Sequence, residues 1–146
     1  MVEIAFKPDP IASDLDAIFN PLRDFNTSAT GRVSARHEAV FHIVDDSNGR
    51  PIGGLAGWTT FDWFFVVGLF VPERLRGQGL GRELMRQAED YARQQGQVGI
   101  YLDTFDFQAR GFYEKLGFTV FGTLEDHPVG GRRFFLQKRL DHPSTQ

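Results

Sequence analysis

The segment Arg76-Gly77-Gln78-Gly79-Leu80-Gly81 has the residue types to grip phosphate. It follows an apolar run, Trp63 to Val71, and opens a stretch in which Leu80, Leu84, Met85, Ala88, Tyr91 and Ala92 recur at helical spacing. Glycine lets successive backbone N–H groups curl into one concavity, and the first turn of the following helix adds the positive end of its dipole. Arg74, Arg76, Arg82 and Arg86 concentrate positive charge there in a chain whose net charge is -3. The glycines stand at alternate positions, so the G-x-G-x-x-G dinucleotide pattern is not met, and there is no Gly-Lys-Ser/Thr of a nucleotide-triphosphatase loop.

A second informative segment is Asp106 to Phe118, which reads as a short helix. Ala109, Phe112 and Leu116 share one helical face, Asp106 is placed to cap the helix, and Tyr113 lies beside that face. Gly111 inside so short a helix costs about 1 kcal/mol against alanine, which implies a close neighbour to its backbone. With no cysteine and no Gly-x-Ser-x-Gly elbow, the chain offers no obvious covalent nucleophile, and direct attack by a substrate is the simpler scheme. Glu38, Asp62, Asp103, His42 and His127 are candidate bases, in competition with a water chain. His37 and His42 lack a third ligand, and Asp45-Asp46-Ser47-Asn48-Gly49 lacks the closing glutamate of a calcium loop, so no metal is expected. Trp58, Phe61, Trp63 and Phe64 are either pocket wall or core, and Glu125, Asp126 and His127 either receive a cationic amine or form a solvated turn.

The elements that must position these residues follow from hydrophobic period. Val2, Ile4 and Phe6 alternate as in a strand; Ile11, Leu15, Ile18, Phe19 and Leu22 mark a helix that Pro21 should break or restart, capped by Asn20; residues 26–31 read as a loop. Residues 40–44 and 52–58 flank Asn48-Gly49 as a hairpin, and residues 59–62 turn into the central strand Trp63 to Val71. Gly96 ends the long helix; a strand at 99–104, a helix at 108–116, and strands at 118–122 and 133–138 complete the chain. This is an α/β fold with a mixed sheet and helices on both faces.

The 146 residues suit one domain, residues 1–140, with a mobile tail at 141–146. A chain 41% hydrophobic and 24% charged should fold as a globule, and its mild acidity argues against nucleic acid or a membrane surface as partner. The nine apolar residues from Trp63 are too few for a membrane helix, and no basic leader precedes a hydrophobic region, so the cytoplasm is expected.

The two segments, in this order, resemble the GNAT superfamily of N-acetyltransferases. The loop pattern Arg/Gln-x-x-Gly-x-Gly/Ala matches Arg76, Gly79 and Gly81, and the pattern Asn-x-x-Ala-x-x-Phe-Tyr-x-x-x-Gly-Phe matches Ala109, Phe112, Tyr113, Gly117 and Phe118, with Asp106 in place of the asparagine. The resemblance spans almost the whole chain. It implies a mostly antiparallel sheet of six to seven strands in which the strands at Trp63–Val71 and 99–104 splay apart. It also implies acetyl-CoA as cosubstrate, held by Arg76, Gly77, Gln78, Gly79, Leu80, Gly81 and Arg82, by the strand end Leu69, Phe70 and Val71, and by Asp106 and Tyr113. Tyr113 takes the position of the catalytic donor to the leaving sulfur. Its ordinary pKa near 10 stands above a thiol's near 8.5, so hydrogen-bond donation is easier than full proton transfer. Gly68 is a place for a bulge that frees an N–H for the thioester carbonyl. A small primary amine is the expected acceptor, with a non-catalytic acyl-CoA-binding module as the alternative.

Overall fold

The structure is a computed structural model that describes residues 1–33 and 35–141; residues 142–146 of the expected tail lie outside the described residues. It divides into two compact units, Met1–Ala35 and Arg36–Gln146.

The first unit contains one helix, α1 (Ala12–Thr30). The Asp14 carboxylate accepts from Ile11 N at 2.9 Å, satisfying one of the amides that a helix start leaves unpaired. Gly31 ends the helix in the left-handed conformation (φ 70°), its N–H donating to Thr27 O at 2.8 Å. Pro21 lies inside α1 instead of restarting it, and residues 26–30, expected as a loop, are its last turns. The ring removes one N–H donor, a local cost that the flanking turns carry. Val2 to Phe6 form no strand. Alternation describes a residue's two faces, but a strand also needs a ladder partner.

The second unit is a six-stranded sheet in the order β1-β2-β3-β4-β6-β5. Its strands are β1 (His37–Val44), β2 (Pro51–Thr60), β3 (Trp63–Phe70), β4 (Gly99–Phe105), β5 (Thr119–Glu125) and β6 (Arg132–Arg139), with α2 (Leu80–Gln94) and α3 (Arg110–Lys115) between them. The β3–β4 pair is parallel and every other pair antiparallel. The Asn48-Gly49 turn forms as expected: Gly49 takes φ 69°, and Asp45 folds back onto Ser47 N and Oγ. At the next hairpin Phe61 (φ 44°) and Asp62 (φ 75°) both adopt positive φ, the two-residue turn whose twist matches flanking strands.

Alternation sends Leu55, Phe64, Val66, Ile100, Leu102 and Leu136 to one face, where Leu84, Met85, Ala88 and Ala92 of α2 close the core. Tyr113 of α3 joins the same core, so α2 and α3 share that face. On the other face Trp58, Phe65, Tyr101 and Trp63 run edge to face and stacked across three strands, Phe65 and Tyr101 at 4.7 Å. The guanidinium of Arg36 lies 4.3 Å over Trp58 and that of Arg139 5.8 Å over Trp63. Phe64 is therefore core, while Trp58 and Trp63 cover the second face. Two strand glycines make room for close neighbours: a Cβ on Gly57 would meet the Phe65 carbonyl oxygen and, on the core face, the Phe64 ring, and one on Gly99 would meet the Trp63 ring.

Among the described residues no helix is long and apolar enough to cross a membrane. Leu136 is fully buried between β4 and β5. Leu136→Ala should cost about 2–5 kcal/mol of stability in urea unfolding.

Candidate active site

The site begins where β3 and β4 part. Their ladder runs from Trp63↔Gly99 to Val66↔Leu102 and goes no further. On the other side of β3 the register with β2 slips between Ala56↔Gly68 and Gly57↔Val66, leaving Val67 as an extra, bulged residue. The bulge expected at Gly68 thus falls one residue earlier. Between the diverging strands lies a cleft of about 790 Å³, lined along β3 by Val66 to Val71 and along β4 by Leu102 to Phe105.

The glycine segment forms one end of this cleft. Gly77 (φ 78°) and Gly79 (φ 83°) both take the left-handed conformation, which a side chain would strain although nothing crowds the space. Gly79 is the residue before α2, and its carbonyl accepts the first helical bond, from Glu83 N at 3.0 Å. The amides of Gly77 to Arg82 have no hydrogen-bond partner among the described residues, so they remain available to an anion. At Gly81 a Cβ would meet the Phe112 ring at 3.2 Å, so glycine here lets α2 approach α3.

The four arginines are not equivalent. Arg76 donates from Nε to Val71 O at 2.8 Å, bracing the loop against the end of β3, and lines the cleft with Arg82. Arg86 is held by Glu83 and Asp90, and this pairing lowers the Glu83 carboxyl to about 2. Arg74 stands 3.8 Å from Asp45. Arg82 is the guanidinium of this group that lines the cleft without an ion pair or hydrogen bond among the described residues.

Tyr113 reaches the cleft from α3, its ring edge-on to Phe112 at 5.1 Å and Phe118 at 6.0 Å. It is 8% exposed, and burial, aided by the negative charge of Asp103, pushes its phenol up to about 12. The phenol is then a firm hydrogen-bond donor and a reluctant acid. Its gap of about 3.5 pKa units to a free thiol near 8.5 makes complete proton transfer uphill by about 5 kcal/mol.

Of the expected cosubstrate residues, Leu69, Phe70, Val71, Arg76, Gly77, Gly79, Leu80, Gly81, Arg82 and Tyr113 line the cleft, and Gln78 and Asp106 do not. Asp106 does not cap α3 either, whose first residue follows Ala109 without a side-chain cap. Its carboxylate instead accepts from Arg132 N at 2.9 Å, tying the end of β4 to the start of β6. Gln108, which the sequence did not single out, closes the end of β4: its Oε1 accepts from Phe105 N (2.7 Å) and Thr104 Oγ1 (3.1 Å). Nothing lies within 4 Å of a Cβ on Gly111, so the close neighbour inferred for it is absent. Among the carboxylates and imidazoles named as bases, Asp103 alone lines the cleft; Glu38 and His42 are on β1, Asp62 is in the β2–β3 turn and His127 in the β5–β6 connection.

A phosphate-ready loop at one end of a parted parallel pair, with a buried phenol facing the gap, is the frame of an acyltransferase. The model of the Acetyltransferase (GNAT) family matches residues 5–118. An acetyltransferase of Agrobacterium fabrum is 39% identical over 124 residues, covering 85% of this chain and 89% of that protein. The blasticidin-S acetyltransferase of Streptomyces morookaense is 39% identical over 93 residues, 63% of this chain and 68% of that one. A crystal structure of an acetyltransferase from Agrobacterium tumefaciens superposes with a TM-score of 0.88 at 34% identity, covering 95% of this chain and 100% of the other. The chain belongs to the GNAT acetyltransferase family, and it is an N-acetyltransferase.

Alkaline titration followed at 295 nm should resolve a tyrosinate component near pH 12 that Tyr113→Phe removes. Because the raised pKa favours the protonated phenol in the folded state, its stabilising contribution is complete below pH 10 and is lost as pH rises toward 12.

Proposed function

We propose that this enzyme moves an acetyl group from acetyl-CoA directly to the primary amine of a small molecule. The observation that carries the reading is the cleft itself: the run of unpartnered amides from Gly77 to Arg82 at one end, the open edges of β3 and β4 along its length, and the Tyr113 phenol within it.

The residues present fit the coenzyme chemically. The loop amides and Arg82 suit a pyrophosphate, and the edge of β3 left open toward β4 past Val66 suits the amide groups of a pantetheine arm, as a strand edge suits another strand. The bound thioester supplies an activated acetyl carbonyl. Around it, the protein excludes water with Leu102, Phe105 and Phe112, offers backbone N–H at the Val67 bulge, and directs Tyr113 toward the leaving sulfur. In the balance of the transfer, a nitrogen–carbon bond replaces the carbon–sulfur bond, the amine gives up one proton and the sulfur gains one. With its pKa near 12, Tyr113 steadies the departing sulfur by a hydrogen bond while solvent completes the protonation.

A small acceptor accords with the moderate size of the cleft and with the relative named for blasticidin S. Calorimetry with acetyl-CoA should show micromolar binding, and binding absent at millimolar ligand would remove the coenzyme reading. Gly79→Val, forced into a left-handed φ of 83°, should weaken that binding at least about ten-fold. Tyr113→Phe should leave it unchanged while lowering kcat about ten- to a hundred-fold in a thiol-release assay. An unchanged kcat would retire Tyr113 as the donor.

A further inference from the structure

Two apolar faces of this chain take no part in its core, and the first belongs to α1. Ile11, Leu15, Ile18, Phe19, Leu22 and Phe25 fall within about 120° of the helix circumference at roughly 100° per residue, a stripe wide enough to lie against a core. None of them is buried, and each is 46–67% exposed. Asp16, Asn20 and Asp24 occupy the opposite side of the helix. A helix so patterned draws its stability from packing its apolar side, more than from the propensity of its residues.

The second is the side of the sheet away from α2. Val40, Ala56, Trp58, Trp63, Phe65 and Tyr101 stand on it, joined by the pairings Val40↔Ala56, Trp58↔Phe65 and Phe65↔Tyr101. On the α2 side Leu55, Phe64, Val66 and Leu102 are at most 4% exposed. Here Val40 and Ala56 are exposed and the four rings only half-buried. A sheet with one covered apolar face and one uncovered is an unfinished layer, and contiguous apolar surface of this extent marks an interaction site. The two faces also match in charge. Helix α1 carries three aspartates to one arginine, while Arg36 and Arg139 set their guanidiniums over the Trp58 and Trp63 rings.

We propose that two copies of the chain associate by exchanging their first units, α1 of each lying on the aromatic sheet face of the other. The contact is isologous: one two-fold operation covers both helices and both sheet faces, and leaves no surface to recruit a third copy. Its size is sufficient. At roughly 100 Å² for each half-exposed side chain, two such stripes contribute about 1,200 Å² before the sheet faces they cover are counted, already within the range of stable interfaces, about 1,200–2,000 Å².

Sedimentation equilibrium at micromolar protein should give twice the chain's 16.5 kDa. Ile18→Asp combined with Leu22→Asp places two carboxylates in the stripe and should weaken association at least about a hundred-fold, returning the mass to one chain. Asp24→Asn, behind the stripe, should leave the mass of the pair unchanged. Because the chain has no cysteine, the exchange can be read directly with single thiols. Chains carrying only Phe19→Cys, co-expressed with chains carrying only Ala56→Cys, should give with a short bismaleimide a two-chain product that mass spectrometry maps to positions 19 and 56. This measurement decides the matter if the double aspartate variant does not fold. A one-chain mass for the wild type, a pair that Ile18→Asp with Leu22→Asp leaves intact, or cross-links that join only two positions 19 would overturn the proposal. So would a chain carrying both Phe19→Cys and Ala56→Cys that links only within itself.

Discussion

The hydrogen-bonded ladder between β3 and β4 stops after Val66↔Leu102, and the remainder of the site depends on that interruption. A continuous ladder would leave no edge to receive a ligand, and a sheet with no pairing there would leave the two edges without a fixed separation. The residues before the stop are held from both sides: Phe64, Val66, Ile100 and Leu102 lie in the core beneath α2, while Phe65 and Tyr101 stack on the other face. Past the stop, the Val67 bulge turns the end of β3, and Gln108 and Asp106 anchor the end of β4 to α3's approach and to β6. Two strands are thereby clamped at one end and fastened apart at the other.

This geometry also sets the chemistry available. Tyr113 is buried because α3 packs into the same core as α2, and that burial, more than any charged neighbour, suppresses its ionisation. A protein that shields its phenol so thoroughly gains a stable donor at the expense of acid strength. The glycine loop shows a parallel choice. With Arg86 committed to Glu83 and Asp90, and Arg76 to the Val71 carbonyl, oriented amides supply much of the positive potential there.

The second unit was legible in the sequence because its signals are local: period-two runs for the strands, a wide apolar stripe for α2, and glycines where the backbone takes positive φ. The cleft lining was legible for the same reason, since the loop and the β3 end are contiguous in the chain. Readings failed where a partner lies far along the sequence or where a local preference is overridden. Val2 to Phe6 alternate without acquiring a ladder, and Pro21 sits within a helix its flanking turns sustain. Asp106 sits three residues before Ala109, the spacing of a cap, yet bonds to Arg132, 26 positions away. The pairing of Asp103 with Arg133 needed the knowledge that β6 inserts between β4 and β5, which no spacing reveals.

The contact between Gly57 and the Phe64 ring, like that between Gly99 and the Trp63 ring, has a consequence for how such a chain can diverge. Each glycine faces an aromatic ring and also a backbone carbonyl oxygen of a neighbouring strand, Phe65 O at Gly57 and Lys138 O at Gly99, so a smaller ring alone does not make room for a side chain. A side chain gained at Gly57 still meets the Phe65 carbonyl oxygen when Phe64 has shrunk, and a shrunken Phe64 leaves a void that Gly57 does not fill. Substitutions there are costly one at a time, and exchanging glycine and ring together does not relieve the backbone contact. Positions that touch no substrate would then drift as slowly as those that do, and slow change along β2 and β4 would reflect packing as much as catalysis.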